Sequence, residues 1–178
     1  MERRRLLNIK LSLVLLAVTI LLNGLAYGED SEQFEKVTAA LSTPALLDEY
    51  LNKNFSWASE KDGGGCVGVN IGLSLKGCPP DFIFKNKKGN CGAFTTFAIH
   101  CLRKAGYIAY PLYIVYPWPS SFSSGVSPRD YHIMVVYEEE GKIYTIDRGK
   151  PRDREGIKGP YNSVEDLPYK ILKIDKEY

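Results

Sequence analysis

Cys91, His132 and Asp147 are the residues whose types and order could do chemistry. A thiol attacks a carbonyl as its thiolate, and an ordinary cysteine with a pKa near about 8.5 is mostly protonated at neutral pH. A helix N-terminus contributes about 0.3 to 1 kcal/mol at an exposed site, less than the ~1.36 kcal/mol of one pKa unit. An imidazolium beside the sulfur must supply the rest, and a carboxylate is wanted to fix the tautomer and orientation of that imidazole. The chemistry would be acyl transfer: attack on an amide or ester carbonyl, with His132 protonating the leaving group.

Three elements must bring these side chains together. The segment GNCGAFTTFAIHCLRKAGY predicts a helix that Asn90 caps, with Cys91 in its first turn. Phe94, Phe97, Ala98, Cys101 and Leu102 form its apolar stripe, Arg103 and Lys104 complement the C-terminal dipole, and Gly106 ends it. Cys101 on that stripe reads as an inert core thiol. His100 lies on the opposite side of the helix from Cys91 on a 3.6-residue repeat, so it cannot be its partner.

After the helix the pattern changes to strands, YIAYPLYIVY, YHIMVVY and KIYTID, rich in aromatic and β-branched residues. With EEEG read as a four-residue hairpin turn, Tyr137 pairs with Lys142, Val136 with Ile143, and His132 falls directly opposite Asp147. A slip of one residue would destroy that pairing. The connection PWPSSFSSGVSPRD is a long loop whose Trp118 and Phe122 either wall a substrate cleft or ride on a surface excursion.

Upstream, Ser31 to Leu41 and Pro44 through Asn54 read as two short helices, the second with Thr43 as N-cap and Pro44 in its first turn. Ala45, Leu46, Tyr50 and Leu51 are its expected core stripe. Residues 1–28 read as a secretory signal: basic MERRRLLNIK, then an apolar run short for a membrane span, then Ala26 and Gly28 before a cut near Glu29. The alternative is an uncleaved anchor, which would be the only membrane contact. Either way the protein is expected outside the cytoplasm.

Loss of residues 1–28 removes Arg3, Arg4, Arg5, Lys10 and Glu2, leaving 19 basic against 20 acidic residues where the whole chain has 23 and 21. The formal charge therefore moves from +2 to −1, and no basic footprint for nucleic acid remains. About 150 residues, 29–178, suit a single domain. Cys66 and Cys78 flank a glycine-rich stretch and are read as a disulfide in an exported chain, with two free thiols as the alternative. With only His100 and His132, and no C-x-x-C or H-x-x-x-H, no metal site and no cofactor are expected.

The segments PPDFIFKNKKGNCGAFTTFAIHCLRKAGYIAYPLYIV and YHIMVVYEEEGKIYTIDRG resemble the transglutaminase-like superfamily, particularly its bacterial transglutaminase-like cysteine peptidase branch. Gly89-Asn90-Cys91, Leu102-Arg103, Gly106-Tyr107, His132 and Asp147 match the family pattern over roughly residues 79 to 149, with TPALLDEYLNKNFSW a weaker upstream match. The resemblance implies an α+β, papain-like fold and carries Cys91, His132 and Asp147 over as the catalytic triad. It also implies an upstream aromatic donor to the oxyanion hole, for which Trp57 is the candidate. Asn90, where many members carry an acidic residue, and Gly92 and Ala93, where many have an aromatic, make substrate preference non-transferable.

Hydrolysis of an amide bond in a peptide or protein is the first expectation. Transamidation or deamidation would share the acyl-enzyme, and a non-catalytic exported peptide-binding module is the reading from another class. A cell-wall endopeptidase that opens its helix with Asp-Cys-Ser-Gly-Phe is disfavoured, because Gly92 stands in place of the serine and Asp147, not a second histidine, follows His132.

Overall fold

The computed structural model describes residues 30–57, 79–115, 131–148 and 156–178. The expected signal segment 1–28, the expected disulfide between Cys66 and Cys78 and the loop bearing Trp118 and Phe122 lie outside the described residues. The chain divides into two units, Met1–Val37 and Thr38–Tyr178. In the first, residues 30–37 are helical, and the helix (α1) runs on to residue 40.

The second unit is α+β. Thr43 caps α2 (Pro44–Asn54) by accepting from the Leu46 N–H at 3.3 Å, with Pro44 at the first helical position, where its missing N–H costs nothing. Its buried side is Pro44, Leu47 and Leu51 with Tyr50 partly covered, which corrects the expected stripe: Ala45 is exposed, and Leu46 is 44% exposed where Leu47 is 0%. Leu47→Ala should therefore cost about 2 to 5 kcal/mol and Leu46→Ala less than about 0.5 kcal/mol, a contrast that urea unfolding would read directly.

Next come β1 (Ser56–Trp57), α3 (Pro80–Asn86) and β2 (Lys88–Gly89), the two short strands pairing in parallel. Helix α4 (Cys91–Lys104) follows and packs against α2, α3 and the sheet. Gly106, at φ +92°, closes it in a Schellman arrangement: the Tyr107 N–H donates to the Leu102 carbonyl and the Gly106 N–H to that of Arg103. Burial reaches beyond the expected stripe to Ala93, Thr95, Thr96 and Ile99, as befits a helix covered on more than one side.

Five antiparallel strands form the sheet in the order β6-β5-β4-β3-β7: β3 (Ile108–Val115), β4 (Tyr131–Glu139), β5 (Lys142–Asp147), β6 (Gly156–Tyr161) and β7 (Lys170–Ile174). Side chains alternate, so the two faces carry different residues. Val135 and Ile146 line a common cavity with Phe94 and Ala98 of α4, which packs on this side of the sheet. Tyr110, Leu112, Met134, Val136 and Ile143 build a second core with Val164 and Leu167, from the segment that joins the edge strands β6 and β7. Both faces are thus covered, which is why β3 is buried along nearly its whole length.

The β4–β5 register differs from expectation. Glu139 pairs with Lys142, Glu138 with Ile143 and Val136 with Thr145, so the turn has two residues, Glu140 and Gly141, both at positive φ (51° and 72°). That is the backbone of a type I′ hairpin, whose twist matches the strands. His132 is therefore not directly opposite Asp147; one further step along the ladder sets Met134 there. The difference amounts to two residues, which keeps every side chain on its expected face.

Candidate active site

Because α4 turns tightly into β3 at Ala105–Tyr107, its N-terminus lies toward the end of the sheet where β3 finishes, β4 begins and β5 stops. Cys91, His132 and Asp147 come from those places. Asn90 caps the helix, its side chain accepting from the Ala93 N–H at 3.1 Å. Gly89 makes the approach to the helix possible, since a Cβ there would sit 2.4 Å from that of Ala93. Gly89→Ala should destabilise by about 1 to 3 kcal/mol through overpacking. In thermal melts, Gly89→Ala combined with Ala93→Gly should recover most of the loss, leaving about 1 kcal/mol for glycine in a helix.

His132, 5% exposed, meets Asp147, 1% exposed, with Nε2 2.5 Å from Oδ1. The pair is diagonal across the ladder, within reach of an imidazole and a carboxylate on one face. The imidazole also hydrogen-bonds the Cys91 thiol. With Nε2 given to Asp147, Nδ1 is the nitrogen left for sulfur. Burial by itself would lower the His132 pKa, but the hydrogen bonds and charges of Asp147 and Cys91 outweigh it and raise it to about 9. In its protonated form His132 donates from both nitrogens.

Cys91 is partly buried. Burial pushes its thiol up, yet the hydrogen bond and charge of His132, with backbone hydrogen bonds from Ile133 and Gly92, hold it below the ordinary range. Cys101 shows the other outcome: burial without such donors raises its thiol to about 12, in keeping with an inert core position. The arrangement is able to hold a thiolate–imidazolium pair with its orienting carboxylate inside the protein. Trp57 is strand-paired with Gly89, two residues before Cys91, and its ring lies 5.9 Å from that of Phe94. It remains 36% exposed.

Three supporting residues had no signal in the sequence because their partners are remote. Lys87, at φ 51°, precedes β2; its Nζ is 2.6 Å from the Tyr50 hydroxyl and 3.3 Å above the Phe84 ring centroid, with Phe55 alongside. Burial lowers its pKa to about 8. This cation in an aromatic box fastens the segment leading to Cys91 onto α2 and α3. Arg148, directly after Asp147, reaches α2, where it donates to the Asn52 side chain and to the Asp48 carbonyl at 3.0 Å. Thr95, one turn along α4 from Cys91, donates to the Ile133 carbonyl at 3.3 Å.

Among the described residues, no group of three His, Cys, Asp or Glu side chains is arranged to hold a metal ion. No family model matches this sequence, and no curated protein matches it either.

Proposed function

We propose that the protein is a thiol-dependent acyl-transfer enzyme that hydrolyses an amide bond in a peptide or protein. The observation that carries this reading is the buried His132 bonded on one side to Asp147 and on the other to Cys91 at the start of α4. The Cys91 thiolate attacks the carbonyl carbon; His132 then passes its proton to the leaving nitrogen, and the acyl group stays on sulfur. The neutral imidazole next activates water, which releases the acid and restores the thiolate–imidazolium pair. Backbone amides at the head of α4 and the Trp57 indole are the candidate donors to the developing oxyanion. A capped nucleophile helix packed on an antiparallel sheet supports a papain-like, transglutaminase-like core for this chemistry.

Quenched fluorescent peptides, offered with and without a dansylated primary amine, test the reading. Wild-type protein should cleave a subset of them, and Cys91→Ala should lose turnover by at least about a thousandfold. Equal rates in the two proteins would remove Cys91 from the reaction. Incorporation of the amine in place of water would assign the acceptor to transamidation while retaining the same acyl-enzyme.

A further inference from the structure

The β4–β5 ladder stops at Val135–Ile146, and after Asp147 the chain leaves the sheet with Arg148 bonded to α2. In an antiparallel ladder the N–H and C=O of one residue point to the same neighbour. Continued by two residues, the β4–β5 register would set Arg148 opposite Ile133, but Arg148 is not in the strand, so on that side β4 has no strand partner there. The Ile133 carbonyl instead accepts from Thr95 Oγ1 of α4 at 3.3 Å, and its backbone is among the groups that hold the Cys91 thiol down. Cys91 and Thr95 stand four residues apart, on one side of the helix. Thr95 is only 3% exposed, so its hydroxyl has little access to water as a substitute partner.

Resting on the acyl-transfer reading, we infer that Thr95 is a positioning residue for the nucleophile: by fixing the Ile133 peptide it aims that residue's N–H at the Cys91 sulfur, making Ile133 a backbone donor to the thiolate beside His132. The strand end that supplies the general base thereby also supplies a second, non-titrating donor. That donor serves the anionic sulfur and not the thiol, since a hydrogen bond to a charged acceptor is the stronger one. It therefore favours ionisation at any pH at which His132 is in place.

The test compares the pH dependence of Cys91 alkylation by iodoacetamide, mapped by peptide mass, in wild type, Thr95→Val and Thr95→Ser, with melting temperatures taken alongside. Thr95→Val keeps the shape and loses the donor; the apparent pKa of Cys91 should rise by about one unit. Thr95→Ser keeps the hydroxyl and should titrate near wild type. A Thr95→Val curve that superimposes on a low wild-type curve overturns the role of Thr95 and leaves the thiolate–imidazolium pair standing. Equal shifts in both variants, accompanied by equal losses of melting temperature, would assign the effect to packing and overturn the inference. An ordinary thiol titration in the wild type itself would sink the acyl-transfer reading and this inference with it.

Discussion

Replacing His132 with alanine should slow the alkylation of Cys91 at pH 6.5 by at least about tenfold. The sulfur occupies a site where burial by itself pushes the thiol up, and what overcomes this is chiefly the hydrogen bond and charge of the imidazolium. Without the ring the burial remains, and the two backbone donors must offset it unaided. The thiol should therefore return to its ordinary range or climb above it. Cys101 provides an internal reference, since its thiol, raised to about 12, should stay unreactive in both proteins. If Cys91 in His132→Ala reacts at the wild-type rate at pH 6.5, His132 is not what ionises it.

A pH profile carries the second large effect. The thiolate–imidazolium form exists above the lowered pKa of Cys91 and below the raised pKa of His132, about 9. Turnover should follow a bell whose alkaline limb falls near 9 and whose acid limb lies below the ordinary thiol range. Asp147→Asn removes the charge that helps hold the imidazolium against burial, so the alkaline limb should move to lower pH. An unmoved limb would separate Asp147 from the ionisation of His132.

The same shift acts on stability. A histidine raised from 6.5 to about 9 on folding contributes stability that is fully present below pH 6.5 and is lost as pH rises through 9. Cys91, lowered on folding, acts in the opposite sense: its contribution is present above the unfolded thiol pKa and lost as pH falls through the folded one. The melting-temperature gap between wild type and Asp147→Asn should accordingly be wider at pH 6 than at pH 9.5. A gap that widens with rising pH would contradict this linkage.

What could be read from the sequence was what neighbours in the chain decide. Asn90, Gly106 and the spacing between them mark α4 at both ends, and Thr43-Pro44 marks the start of α2, because caps act over three or four residues. The face shared by His132 and Asp147 follows from strand alternation alone. Their register departs from the expected one because a type I′ turn calls for two residues at positive φ, and Glu140 is a residue that seldom takes that conformation. Strand β6, GIKGPY, is hard to recognise because glycine and proline are depleted in strands; Pro160 is accommodated there on a sheet edge. Ile133 contributes through its backbone, and Lys87 through rings from α2, α3 and the residue after α2. Neither contribution leaves a trace in side-chain patterning.

The reach of Arg148 bears on how portable the cluster of Cys91, His132 and Asp147 is. The motif-bearing stretch spans roughly residues 79 to 149, but the residue next to Asp147 is held by Asp48 and Asn52 on α2, and β3 is flanked by β7 near the other end of the chain. A fragment cut to the motif would strand a mostly buried guanidinium without its acceptors and strip one edge from the strand that α4 packs against. The contacts that support Cys91, His132 and Asp147 thus reach from α2 to β7 and on to Tyr178, which is hydrogen-bonded to Arg103 and Thr96 of α4. The stretch that carries the three residues is much shorter than the set of contacts that holds them in place.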